Sequence, residues 1–266
     1  MALDVSDVRR QQYDADGFFR VDGFAGVDVG RAMLDDVVDV VRRHDAGEHV
    51  VDVVVLPEAQ PGYAERKANP EDVISKVFRL HRRPAFADFL RTDALLPIIT
   101  GVLGTDDVDC FLSQFIFKNP GAWGQPWHQD SYYFPFDPPR PIVGLWLAVT
   151  EATLANGCLH VLPGSSAEPV HEHIPDRRPG ANYGYTEIVD HDMSAATPVL
   201  MQPGDLLVFD SHLMHRSTDN ESQGIRAAMV FHVAAAGTDD QTEKARGYKS
   251  PVNDWVPLVR GGVFVR

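Results

Sequence analysis

The chain has 266 residues, 44% of them hydrophobic, and a formal charge of −14. That is enough apolar material for one large core, and the wrong sign of charge for a nucleic-acid face, which needs clustered Lys and Arg. No apolar run approaches the about 18 residues of a membrane span, and the opening MALDVSDVRRQQYDADG has no apolar signal core, so a cytoplasmic protein with neither membrane nor nucleic-acid partner is expected.

Residues 6 to 15 predict a short polar helix ending at Asp16–Gly17, and Phe18 to Phe24 a strand. From Asp28 to His44, the residues Met33, Val37, Val40 and Val41 recur at the spacing of an amphipathic helix. Residues 46 to 69 are ambiguous, with a strand from Val50 to Leu56 broken by Pro57, Pro61 and Gly62. After VISKVFRL, around Lys76, comes a helical pair. The first helix begins near Pro84; the second is capped by Asp93 and carries Leu95, Ile98, Ile99 and Val102 before Gly104.

Beyond Asp109 the character changes. CFLSQFIF, IVGLWLAV, GCLHVL, TPVLM, DLLVF and IRAAMVFHV are short β-type runs, punctuated by NPG, DPPRP, ANG, LPGS and QPGD. Helices followed by such strands predict a mainly β fold with packed helices. The expected core is a double-stranded β-helix, a cupin-like jelly roll, with the amino-terminal helices on the outer face of one sheet. In IVGLWLAV the positions Val143, Leu145, Leu147 and Val149 suit packing on helices, while Gly144, Trp146 and Ala148 face the interior. One domain is expected over 1–266: a mostly helical part to 108, the β-helix core over 109–236, and a carboxy-terminal extension over 237–266. Residues 165 to 197 lack periodicity and read as a lid or binding loop. The two cysteines, Cys110 and Cys158, imply no disulfide framework.

The chemistry is concentrated in PWHQDSYYFPF, residues 126 to 136. His128 and Asp130 flank one residue, so an extended backbone turns both to one face and supplies two thirds of a 2-His-1-carboxylate metal site. Alone the pair is weak evidence, and a second histidine is required. His215 is the candidate, with Ser217 on the same face. TDNESQG then reverses the chain towards Arg226. A symmetric hairpin there sets Ser217 opposite Arg226, a hydroxyl and a guanidinium suited to a carboxylate. His212 is the rival ligand; the following Ser and the interval to Arg226 favour His215. His171 and His173 read as solvated loop residues without a matching carboxylate, and His160 and His232 as satisfied sheet histidines. Trp127, Tyr132, Tyr133 and Phe134 suit a substrate pocket or core packing equally, and Cys158 is read as core.

WHQDSYYFPF, NGCLHVLPGS, QPGDLLVFDSHLMHRS and the interval from His215 to Arg226 together resemble the phytanoyl-CoA dioxygenase family of Fe(II)/2-oxoglutarate-dependent oxygenases, from roughly Asp16 to Ala236. The resemblance implies that His128, Asp130 and His215 are the catalytic iron ligands, and that Arg226 and Ser217 bind the distal carboxylate of 2-oxoglutarate. It places Trp146, Gln129 and Lys76 near the co-substrate, with Gln114 at a further position where the family's best-studied member has methionine. It also implies consumption of O₂, release of succinate and CO₂, and hydroxylation of an unactivated C–H of a small molecule; the carboxylate at Asp130 speaks against halogenation. Two other classes are a divalent-metal hydrolase or isomerase of the same fold that does not use 2-oxoglutarate, and a non-catalytic binding barrel. Neither gives Arg226 and Ser217 a task. No residue selects among acyl-CoA, amino acid, phosphonate and natural-product substrates, or fixes the oligomeric state.

Overall fold

In the strand Ile142–Ala148, IVGLWLA, every residue is buried, and its two faces meet different partners. Val143, Leu145 and Leu147 pack in one core with Met33, Val37, Ile98 and Ile99 of the helices. Trp146 and Ala148 pack in another with Leu207, Phe209, Ala228 and Val230. Gly144 is required on that second face, because a Cβ there would lie 2.2 Å from the Phe209 ring. A sheet covered on both sides reads as an unbroken apolar run, which is why RAAMVFHVAA, Arg226–Ala235, is buried at every position.

The computed structural model describes residues 7–58, 60–66, 68–137, 142–181 and 184–265; most of the expected DPPRP turn and residues 182 and 183 of the long loop lie outside these. The larger sheet is antiparallel and runs Phe18–Val21, Leu206–Asp210, Ile142–Ala148, Arg226–Ala235, Val108–Lys118, Val256–Arg260, Val263–Phe264. The long strand Val108–Lys118 has a divided edge: its first half pairs with Val256–Arg260 and its second with Ile74–Phe78, which in turn pairs with Val54–Pro57. The smaller sheet is Thr197–Val199, Leu159–Val161 and His215–Ser217. The two sheets form the mainly β, cupin-like arrangement, but they do not close into a barrel. Among the described residues the small sheet has three strands of three residues each, against nine strands in the large one.

Helix Val27–Asp45 buries the predicted stripe of Met33, Val37, Val40 and Val41. Pro84 opens helix Pro84–Leu90 as expected. Helix Leu96–Leu103 departs from expectation at its start, where Leu95 and not Asp93 is the capping residue and no side-chain cap bond forms. It ends at Gly104, whose φ of 66° lies in the left-handed region that glycine adopts freely. The stretch 165 to 197 is not featureless: it holds a turn of helix at Ser165–Ala167 and a short ladder between Ile174–Pro175 and Thr186–Glu187. Among the described residues no helix is long and apolar enough to cross a membrane.

Candidate metal centre and anion pocket

The backbones of His128 and His215 exchange both hydrogen bonds, each at 3.0 Å, across an isolated antiparallel bridge. Directly opposed residues share a face of a sheet, so the two rings lie 4.1 Å apart, centroid to centroid. Gln129 is extended, with φ −116° and ψ 131°, and this brings Asp130, at the start of a tight turn, back to the side of His128. Asp130 Oδ1 then lies 3.4 Å from His128 Nε2 and 3.8 Å from His215 Nε2.

Each ligand is oriented from behind. His128 Nδ1 donates to Pro126 O at 2.8 Å and His215 Nδ1 to Leu213 O at 2.9 Å, leaving both Nε2 lone pairs for a common centre. His232 Nε2 donates to Asp130 Oδ2 at 2.8 Å, so Oδ1 is the oxygen left for that centre. Burial alone would raise the Asp130 carboxyl. His215, His128 and His232 outweigh it and hold the group well below the usual carboxylate range. Burial, reinforced by the proximity of His128, pulls His215 down to about 4, which keeps it neutral and its lone pair available near pH 7. Three inward ligand atoms on one side, with each far side already engaged, fit a divalent ion held facially.

A cavity of about 290 Å³ opens on this centre, lined by Lys76, Gln114, Lys118, Trp146, Ser217 and Arg226 among others. Arg226 is 2% exposed. Only its Nη2 finds a partner, Gly157 O at 3.1 Å, while Nε and Nη1 are buried with none among the described residues. The neighbouring Trp146 Nε1 is also without a partner. A buried guanidinium with two unmet donors loses solvation without compensation unless an anion meets it.

The route by which Ser217 reaches Arg226 differs from the hairpin expectation. His215–Ser217 pairs with Leu159–Val161, and Arg226–Ala235 with Val108–Lys118 and Ile142–Ala148. The two residues therefore belong to different sheets, and they meet across the cavity between the sheets. The link is Lys118, the cross-strand partner of Arg226, whose Nζ donates to Ser217 Oγ at 2.7 Å. Ser217 Oγ also accepts from Gln125 N at 3.1 Å, so its own O–H proton remains for a ligand.

Lys118 was not anticipated. The signal was present, since Gln114, Ile116 and Lys118 share one strand face. Burial, and then the proximity of Arg226, push the Lys118 ammonium well below its usual range, and burial also lowers Lys76. Lys76 Nζ lies 4.8 Å from the centre of the Tyr185 ring. Glu58 and Tyr185 line the same cavity, and burial raises the Glu58 carboxyl to about 7 despite Lys76.

The remaining expected site residues separate into two groups. Tyr133 and Phe134 line the cavity, Tyr133 accepting hydrogen bonds from Thr186 N and Oγ1 at 3.1 and 3.0 Å. Trp127 packs instead with Leu162, Ile188 and Met214, under the Arg216 guanidinium. Tyr132 stacks on His173 at 4.1 Å. Gln129 also turns away from the cavity, as alternation along an extended strand requires. Its amide donates to Pro169 O and His212 O at 3.1 and 2.9 Å and accepts His171 N–H at 2.8 Å. His173 is not a solvated loop residue: it is buried and accepts Gln129 N–H at 3.1 Å. His212 Nδ1 meets Glu168 O, outside the triad. His232, read as a satisfied sheet histidine, meets the ligand carboxylate through Nε2, while its Nδ1 is buried with no partner among the described residues.

The family profile described as Phytanoyl-CoA dioxygenase (PhyH) matches residues 13–228. The chain is 41% identical over 113 residues to the peroxisomal phytanoyl-CoA dioxygenase of Bos taurus, a match covering 42% of this chain and 34% of that protein. It is 27% identical over 270 residues to phytanoyl-CoA dioxygenase domain-containing protein 1 of the same species, covering 88% and 92%. Among solved structures, EvdO2 from Micromonospora carbonacea var. aurantiaca complexed with 2-oxoglutarate superposes with a TM-score of 0.64 at 21% identity, over 90% of this chain and 94% of that one. EctD from S. alaskensis with bound Fe gives 0.65 at 20% identity, over 87% and 77%. At these identities the likeness speaks for the fold. With the profile spanning most of its length, the chain belongs to the phytanoyl-CoA dioxygenase family.

Proposed function

We propose that the protein is an Fe(II)- and 2-oxoglutarate-dependent dioxygenase that hydroxylates an unactivated C–H of a small molecule. The observation that carries this reading is the pairing of the facial triad with the unmet donors of Arg226 in one cavity. A metal hydrolase or isomerase, or a binding barrel, would leave that buried guanidinium without an anion. His128, Asp130 and His215 would hold the iron. When bound, iron supplies the coupling of O₂ reduction to decarboxylation of 2-oxoglutarate to succinate and CO₂, with oxygen inserted into the substrate.

The chain's own residues bind and orient. Arg226 offers a planar, two-pronged donor set to the distal carboxylate of 2-oxoglutarate. Ser217 adds its O–H, and Lys118 and Lys76 add amino groups whose charged form a bound carboxylate would favour. Trp146 forms a wall beneath Arg226, its ring 5.6 Å from the guanidinium carbon. The cavity's other flank is apolar, with Leu56, Phe78, Leu112, Phe134 and Val252, and favours a substrate that presents a hydrocarbon surface to the metal.

The test is anaerobic titration of 2-oxoglutarate into Fe(II)-loaded protein, followed by the metal-to-ligand charge-transfer band, with succinate release measured in air. Arg226→Ala should bind Fe(II) like the wild type but need roughly 10²–10³-fold more 2-oxoglutarate, since stranding a buried charge costs about 3–5 kcal/mol. Equal titration of variant and wild type would remove Arg226 as the anchor.

A further inference from the structure

The segment beyond the small sheet's middle strand gathers a second set of ligand atoms, sharing no ligand with the first. Glu168 Oε2 lies 2.8 Å from His171 Nε2 and 3.0 Å from His191 Nε2. The three atoms fall within 4.8 Å of one another, and this is the one other such group of His, Cys, Asp or Glu found among the described residues besides the triad. Sequence spacing does not reveal it, because Glu168 and His191 are 23 positions apart. Glu168 stands only three positions before His171, and it is the distant His191 that the fold supplies.

One carboxylate oxygen facing two imidazole nitrogens needs a hydrogen or a cation between itself and each of them. The tautomer of His191 bears on which. Its Nδ1 lies 3.1 Å from Asp192 O, a group that only accepts, so that nitrogen carries the hydrogen. In the neutral ring Nε2 then presents a lone pair to the Glu168 oxygen, and two acceptors at 3.0 Å repel. The primary triad has the same pattern, with Nδ1 on a backbone carbonyl and Nε2 turned to a carboxylate oxygen. The Glu168 contacts are close to the roughly 3.3 Å edge of a tetrahedron built from ~2.0–2.1 Å metal–ligand bonds. An opening of a few tenths of an ångström would therefore admit an ion. The side chains of His171, Glu168 and His191 are 27%, 37% and 18% exposed, so the group is reachable from solvent.

We propose that Glu168, His171 and His191 form a second divalent-metal site, for an ion of the zinc class, that clamps the two ends of the segment 168–191. Two imidazoles and one carboxylate, with the remaining positions open to water, suit zinc and its neighbours in the first transition row. Between the clamped ends, Gly184 and Tyr185 line the cavity over the primary centre. At the base, His171 N–H is held by Gln129, the residue between His128 and Asp130. An ion there ties the flap's ends to each other and to the strand that carries the primary ligands.

The experiment is zinc titration of chelator-treated full-length protein by calorimetry, with hydrogen exchange of the flap as a second readout. Wild type should take two zinc ions, the primary triad binding the other. Asp130→Ala should retain one, and in it zinc should slow exchange at residues 168–191. Adding His191→Asn or Glu168→Gln to Asp130→Ala should weaken the remaining site by more than the roughly 10–100-fold that loss of an outer-shell partner produces, and should abolish the protection. The proposal is overturned if the Asp130→Ala protein takes up no zinc, or if His191→Asn and Glu168→Gln leave its binding unchanged. Zinc uptake equal in wild type and Asp130→Ala, but reduced by His191→Asn, would support this site while counting against the primary one.

Discussion

Lys118 stands two alternations beyond Gln114 on one strand and directly across from Arg226. Its buried amine, bonded to Ser217 Oγ and Thr218 O, adds a third basic group to a pocket already holding Lys76 and Arg226. Lys118→Met should therefore raise the 2-oxoglutarate requirement roughly 10–100-fold, the equivalent of one hydrogen bond to a charged group, and should leave metal affinity unchanged. The 2-oxoglutarate dependence of succinate release checks it. Glu58 faces Lys76, Lys118 and Tyr185 in the same cavity, and burial raises its carboxyl to about 7. A carboxyl raised in the folded state contributes stability that is complete below its unfolded value of about 4.3 and is lost as the pH rises through about 7. The unfolding free energy from urea titrations should accordingly fall between pH 4.5 and 7.5 by on the order of 1–2 kcal/mol, allowing for partial solvent screening. Glu58→Gln should flatten that stretch of the profile, and an unchanged slope in the variant would assign it to other groups.

At the scale of elements, the two central strands Ile142–Ala148 and Leu206–Asp210 pair with Gly144 opposite Phe209. The Phe209 ring fills the space a Cβ at 144 would occupy, and its edge meets the His215 ring at 5.2 Å. Gly144→Ala is then overpacked with no flexible neighbour to yield, a change that costs about 1–3 kcal/mol. It should lower the denaturant midpoint and, by displacing Phe209 against His215, weaken metal binding as well. Cobalt(II) titration alongside urea unfolding tests both effects, and loss of stability with intact metal affinity would show that Phe209 moves away from His215.

For the whole molecule, the segment leading into the chain's last strands backs the cavity's apolar side, with Val252 in its lining. Trp255 stacks on Phe111 at 4.9 Å and meets Phe136 at 5.3 Å, in a cluster that includes Phe78, Phe134 and Val252. Trp255→Ala should destabilise the fold by about 3 kcal/mol, the low end for such a truncation because the ring is partly exposed. Substrate-free succinate formation should persist, since neither the triad nor Arg226 is touched; its loss would place Trp255 in the support of the metal centre. Much of this design is legible in the residues alone. Alternation in IVGLWLAV and helical spacing from Met33 to Val41 state which faces are buried, because burial periodicity is local. His128 and Asp130 converge for the same reason, an extended residue between them. What no local pattern holds is pairing between distant segments. The bridge of His128 to His215, the separation of Ser217 and Arg226 into two sheets, the turning of Gln129 toward the flap, and the meeting of Glu168 with His191 all depend on which backbones exchange hydrogen bonds or pack together. Only the tertiary structure decides that, because many registers satisfy the same alternation and one of them buries every face at once.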